Sequence, residues 1–196
     1  MAQTESFVSQ LWLVRHGETE WSASGRHTGR TDVDLTEAGV AAAEALKTLL
    51  GPSSFDRVLT SPRLRARRTA ELAGFPGAEV LDDLAEWDYG DDEGRTTAQI
   101  REERPGWTVW REGPRGGEGA QDVRRRADRV VELVRAVEGP VLAFTHGHLS
   151  RVLGARWIGG EVALGAHLEL STGAVCVLGW ERETPTIERW NSVVGP

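Results

Sequence analysis

One cysteine and one lysine stand among the 196 residues of this chain. The lone thiol, Cys176, excludes an internal disulfide and any four-cysteine zinc site. Lys47 is the only lysine, so the basic side chains are otherwise all arginine. No Gly-Lys-Ser/Thr follows the glycine-rich run Gly113–Gly119, which excludes a P-loop there. Positive charge is not in excess. The net charge is −7, which argues against nucleic acid or an anionic membrane as a partner. No apolar run approaches the ~20 residues of a membrane span. Met1–Gln10 has no basic start and no long apolar stretch, so no signal peptide is expected, and the expected location is the cytoplasm. No metal-binding constellation is visible, and neither a metal nor a cofactor is expected.

The chain has a length and an apolar share (39%) that suit one domain with a full core. Apolar runs at Leu11–Val14, Phe55–Thr60, Glu79–Leu81 and Val141–Phe144 read as strands. Helices are expected over Gly39–Leu50, from Ser61 to about Ala73, over Thr96–Arg104, Glu118–Val137 and Leu149–Ile158. Thr36 caps the first of these and Gly51-Pro52 ends it, while Ser61 and Pro62 supply the N-cap and first residue of the second. Ala166–Ser171 and Ala174–Glu181 read as a hairpin about Ser171-Thr172-Gly173, and Ile187–Trp190 as a last edge strand. Strand and helix alternate, so the expected fold is a three-layer α/β/α arrangement on a mostly parallel sheet. Ligands of such sheets sit at the carboxyl ends of the strands, where His16, Ser61 and His146 all fall.

The first strand ends in Arg15-His16-Gly17-Glu18. A neutral imidazole is a nucleophile, and a guanidinium is a planar fork that fits phosphate oxygens. Gly17 allows close backbone approach. On these residues alone, a solvated strand-end His and Arg explain the pattern equally well. A second His-Gly pair, His146-Gly147, at the strongest buried strand tips the balance toward a site. The segment Ser61–Ala70 adds four arginines at a helix start, with Arg65 and Arg68 on one face and Arg63 and Arg67 on another. Of these, Arg65 is the candidate for the site. Glu86, after the third strand and beside Trp87, is a candidate acid.

Taken together, Arg15-His16-Gly17-Glu18-Thr19, Gly25-Arg26-His27-Thr28-Gly29 and Asp34-Leu35-Thr36-Glu37-Ala38-Gly39 resemble the signature of the histidine phosphatase superfamily, the phosphoglycerate mutase-like group. Ser61-x-x-x-Arg65-Ala66-x-x-Thr69-Ala70, Leu84-x-Glu86-x-x-x-Gly90-x-x-Glu93-Gly94 and Thr145-His146-Gly147 resemble its later blocks, in the family's order. The resemblance implies a phosphoglycerate mutase-like fold, with 1–196 as a single histidine phosphatase domain and a short cap around 88–118. It implies that His16 attacks phosphorus and is transiently phosphorylated. Arg15, Arg65 and His146 would then hold the phosphoryl oxygens, and Ser22, Thr28, Gly29 and Gly147 would line the phosphate pocket. Glu86 would protonate the leaving oxygen and then deprotonate water. An acid working near neutral pH needs a raised pKa, from Trp87 and the apolar wall or from the phosphate's own charge, so Glu86 is expected to be shielded from water.

The cap sequence departs from the mutases. It lacks the paired arginines with which they grip a phosphoglycerate carboxylate, and Pro114-x-Gly116-Gly117-Glu118 resembles the phosphatase branch. The expected function is therefore hydrolysis of a small-molecule phosphomonoester. A cofactor-dependent phosphoglycerate mutase and a non-catalytic phospho-ligand binder are the alternatives. Trp107 and Trp110 either rim the substrate or anchor the cap. His27 is a candidate edge of the pocket, and Glu18 either orients an arginine or bonds locally. His148 is expected behind the site or in solvent, and His167 in a structural role.

Overall fold

A computed structural model of the protein describes residues 9–51 and 53–193. Met1–Val8 and Pro52, which carry the leader and helix-stop expectations, lie outside them. Six strands form one sheet in the order β3-β2-β4-β1-β5-β6. They are β1 (Gln10–Arg15), β2 (Arg57–Thr60), β3 (Glu79–Val80), β4 (Pro140–Thr145), β5 (Val175–Glu181) and β6 (Thr184–Ser192). β3, β2, β4 and β1 run parallel, and β5 and β6 are antiparallel additions at the far edge.

The helices are α1 (Glu20–Ala23), α2 (Glu37–Leu50), α3 (Leu64–Leu72), α4 (Thr97–Glu103), α5 (Ala120–Arg135) and α6 (Gly147–Trp157). Strand periodicity explains the layering. Along β4, Val141 and Ala143 face α5 and α6, while Leu142 and Phe144 face α2 and α3. β4 is buried on both faces, as its continuous apolar run requires. Complete burial of Phe144 alone stabilises the fold by roughly 1.5–3 kcal/mol. No helix among the described residues is long and apolar enough to cross a membrane.

Two local expectations fail. Ala166–Ser171 is no strand. Val162–His167 forms 3-10 turns, and Gly173 donates to the carbonyls of Arg15 and His16 instead of turning a hairpin. The hairpin joins β5 to β6 across Arg182-Glu183. Ser61-Pro62 does not start α3 either. The helix begins at Leu64, and the Ser61 hydroxyl turns inward. Thr36 does cap α2, accepting from the Gly39 N–H at 3.0 Å.

Candidate active site

Strand register builds the centre of the site. Arg15 of β1 lies opposite Thr145 of β4, so the next residues, His16 and His146, leave neighbouring strands side by side. Their rings are 5.2 Å apart, edge to face. Thr60 of β2 lies opposite Phe144, which brings Ser61 to the same end of the sheet.

His16 is held by its own loop. Nδ1 lies 2.7 Å from the Gly17 carbonyl, so Nδ1–H donates there and Nε2 is left as the basic nitrogen. The ring is 5% exposed and borders a cleft. Burial, and then the charges of Arg65 and Arg15, push its pKa well below the usual histidine range. The imidazole is therefore neutral and nucleophilic at neutral pH. Gly17 is needed for packing: a Cβ there would meet the Gly39 carbonyl oxygen at 2.4 Å.

His146 is fully buried. Its Nε2 lies 2.7 Å from the Ser61 hydroxyl, and its Nδ1 has no partner. When Ser61 O–H donates to Nε2, the proton of the neutral ring sits on Nδ1 and is free to donate. Burial and the Arg65 charge lower this pKa as well.

Arg65, also fully buried, donates Nη1 to the Thr31 carbonyl at 3.0 Å and Nη2 to those of Thr28 (2.8 Å) and Gly29 (3.2 Å). The N–H groups of Gly29 and Thr31 point the other way, onto the Glu93 carboxylate. Glu93 thus orients the peptide groups that hold Arg65. Arg15 donates Nη1 to the Leu170 carbonyl at 2.5 Å. The Nε atoms of both arginines are buried without a partner. Arg15, Arg65 and His146, which neighbour His16, thus each carry one orphaned nitrogen. Buried polar groups normally find partners, so these unpaired nitrogens keep donor capacity that an anion could use.

Glu86 is 8% exposed, as its shielding required. β4 runs straight into α6, and the carboxylate of Glu86 takes the first N–H groups of that helix, His148 (3.0 Å) and Leu149 (2.9 Å), with its own Trp87 N–H at 2.8 Å. Arg126 fixes the approach. It donates to the carbonyls of Asp83 and Ala85 and forks onto Glu118, whose carbonyl accepts Trp87 Nε1.

The cleft, about 170 Å³, is bordered by Arg15, His16, Ser22, Thr28, Glu86 and Gly147 among the expected residues. Arg65 and His146 lie beneath it. Gly29 is not brought to it: its N–H serves Glu93 and its carbonyl serves Arg65. The Ser22 hydroxyl is engaged with the Thr19 backbone. His27 and His148 border the cleft, so His148 is neither behind the site nor in solvent, while His167 is exposed and outside it. Trp107 is buried, with Nε1 on the Gly113 carbonyl, and Trp110 packs on Trp87 and His148; neither borders the cleft. Glu18 accepts from the Thr36 hydroxyl at 2.9 Å and orients no arginine. Tyr89, Arg26, Arg151 and Leu170 border the cleft without having been expected. The spacing of Arg151, four residues after Gly147 on one helix face, is the signal that could have found it.

A neutral imidazole with a free Nε2, flanked by guanidinium donors and a shielded carboxyl group, meets the needs of phosphoryl transfer: positioning, cationic stabilisation and a proton shuttle. That is the class of enzyme the fold and site define. Residues 11–193 match the family model of the histidine phosphatase superfamily (branch 1), and the chain belongs to that superfamily of histidine phosphatases. It is 45% identical over 176 residues to an acid phosphatase of Mycobacterium tuberculosis, covering 88% of this chain and 87% of that one. A 2,3-bisphosphoglycerate-dependent phosphoglycerate mutase of a Methylobacterium species is 35% identical over 196 residues, 91% of this chain and 94% of that one. A solved structure of an open-reading-frame product from Mycobacterium tuberculosis superposes with a TM-score of 0.91 at 42% identity, covering 94% of this chain and 98% of that one.

Proposed function

We propose that this chain is a metal-independent phosphomonoester hydrolase working through a phosphohistidine on His16. One catalytic domain would span it, with 88–118 as its short cap. The observation that carries this is the free Nε2 of a neutral, loop-held His16 whose neighbours Arg15, Arg65 and His146 each carry an orphaned nitrogen. In the first step the Nε2 lone pair forms the N–P bond as the ester P–O bond breaks, and Glu86, in its protonated form, gives the leaving oxygen its proton. Arg15 and Arg65 Nε–H and His146 Nδ1–H donate to the non-bridging oxygens, where charge develops. In the second step water attacks phosphorus, Glu86 takes the water's proton, and the N–P bond breaks to restore neutral His16. The bond from Nδ1 to Gly17 persists throughout and keeps the ring in one orientation.

Hydrolysis is favoured over mutase action by the higher identity to the acid phosphatase. The test is phosphate release from a phosphomonoester panel without added metal, wild type beside His16→Ala. Turnover by wild type alone is expected. Isomerisation of phosphoglycerate primed with its bisphosphate, without net release, would move the assignment to mutase, and silence in both assays would move it to a binder.

A further inference from the structure

Phosphoryl transfer leaves one motif of the sequence without a task, Pro114-x-Gly116-Gly117-Glu118 at the end of the cap. Its glycines let the end of the cap lie against its beginning. A Cβ on Gly117 would meet the Asp88 carbonyl oxygen at 2.1 Å, and Gly116 takes a φ of +65°. That close approach delivers Glu118 to the segment that carries Glu86. The Glu118 N–H donates to the Asp88 carbonyl at 3.0 Å, and the Asp88 N–H donates back to Glu118 Oε2 at 2.9 Å. The Glu118 carbonyl accepts from Trp87 Nε1–H at 2.8 Å.

Arg126, two turns into α5, completes the arrangement. Its Nε and Nη2 fork onto the two carboxylate oxygens of Glu118, both at 2.8 Å. Nη1 donates to the carbonyls of Asp83 (3.0 Å) and Ala85 (2.6 Å). The pair therefore grips the backbone on both sides of Glu86, at Asp83 and Ala85 before it and at Trp87 and Asp88 after it. Neither side chain borders the cleft, and the hydrogen bonds of the Glu86 carboxylate come from backbone N–H groups. With side chains 9% and 24% exposed, Arg126 and Glu118 form a partly dry bidentate pair, a geometry that fixes direction as well as charge. A proton donor must reach the leaving oxygen within hydrogen-bond distance, and misplacement by about 1 Å costs about 10²-fold.

We propose that Glu118 and Arg126 are positioning residues for the acid, a clamp across the two ends of the cap that sets where the Glu86 carboxyl group meets the leaving oxygen. The proposal rests on Glu86 as the proton donor. The expected loss depends on the leaving group. An alkyl phosphate needs the proton as its P–O bond breaks, whereas p-nitrophenyl phosphate releases a stabilised phenolate and needs it far less.

The test is kcat/KM for p-nitrophenyl phosphate and for the alkyl phosphate that wild type turns over best, because kcat/KM covers the steps through phosphorylation of His16. Glu118→Gln and Arg126→Lys should each lower the alkyl value about 10- to 100-fold more than the aryl value, part of the about 10²–10⁴-fold that general acid catalysis supplies. Glu86→Gln should show the same selectivity more strongly, and Glu118→Gln should add little selectivity on top of it. Arg129→Ala removes the neighbouring exposed pair with the Asp83 side chain and should leave the ratio unchanged. Losing one member of a buried pair also destabilises the fold, so Glu118→Gln/Arg126→Met, which leaves no charge of the pair buried, is measured beside Arg126→Met. It should unfold at higher urea than Arg126→Met and show the same selective loss. Equal losses on both esters in the clamp variants, with Glu86→Gln selective, overturn the clamp alone. Equal losses in Glu86→Gln itself end the proton-donor reading and the clamp with it.

Discussion

Two strand tips of this protein carry the same dipeptide, His-Gly, and use it differently. At the β1 tip, His16 has its Nδ1–H on a backbone carbonyl one residue away and its Nε2 toward the cleft. At the β4 tip, His146 has its Nε2 on the Ser61 hydroxyl and its Nδ1 buried without a partner. One ring presents a lone pair, and the other presents a proton when the Ser61 hydroxyl donates to it. The glycines differ as well. Gly17 lets two backbones meet, whereas Gly147 opens a helix whose first N–H groups hold Glu86. What separates the two roles in the proposed mechanism is the partner of the second ring nitrogen, not the residue or its strand position.

Kinetics give the largest contrast. In the proposed mechanism His16→Asn removes the attacking atom, and it is expected to lower kcat by at least ~10⁴-fold, as loss of a nucleophile does elsewhere. His146→Asn removes one donor to the transferring group and should cost about 10²–10³-fold. Ser61→Ala leaves the imidazole but frees its tautomer, a loss of roughly 10-fold or more, as for partners that orient metal-bound histidines. Single-turnover measurements check the order. Equal losses at His16 and His146 would mean that the tips share one role.

Much of this was legible in the chain, and the limits are instructive. Leu11–Val14 and Val141–Phe144 declare themselves as strands because both faces must be buried, and the charged residues that follow them stand out by contrast. That the tips share one end of the sheet was legible; that they leave neighbouring strands was not, because β4 inserts between β1 and β2 and only register shows His16 beside His146. Ser61 misled because a serine before proline and a basic run is also what a helix start looks like. Arg151 was passed over because an arginine within a helix is ordinarily a solvated one, and what distinguishes it, Trp110 and two carbonyls, comes from distant segments. Glu93 was part of a motif whose purpose appears only once the Thr28–Thr31 peptides are seen to face it on one side and Arg65 on the other.

The glycines give the next contrast, in stability. Gly17→Ala drives a methyl into the Gly39 backbone, which side-chain movement cannot relieve, and should cost about 3 kcal/mol or more. In Gly147→Ala the methyl meets the end of a flexible arginine at 3.3 Å, while alanine favours the first helical turn. Its stability should change by less than about 1 kcal/mol, and the displaced Arg15 should show instead as weaker binding of inorganic phosphate. Urea midpoints and phosphate titrations check both. A mild Gly17→Ala would mean that the β1 loop yields and that the His16 geometry depends less on that close contact.

The smallest contrast is in pH dependence, where the tips should agree. Both rings are neutral in the folded protein well below the ordinary histidine value, through burial and nearby arginines. In the unfolded chain they protonate near pH 6.5. Below that pH the unfolded state binds more protons, so stability falls as pH drops. Each ring contributes a slope of about 1.4 kcal/mol per pH unit until its own folded pKa is reached. His27 and His148 add to the same slope, with His27 ceasing to do so below about pH 4. The pH slope of the unfolding free energy should therefore fall by about 1.2 kcal/mol per unit between pH 6 and 5 in His16→Asn and again in His146→Asn, by about 0.7 kcal/mol between pH 7 and 6, and not at all near pH 8. If His16→Asn flattens the curve while His146→Asn steepens it, His146 is already protonated in the resting protein. The Ser61 hydroxyl would then accept from Nε2–H, and the β4 tip would bring a full positive charge to the phosphoryl group in place of a neutral donor.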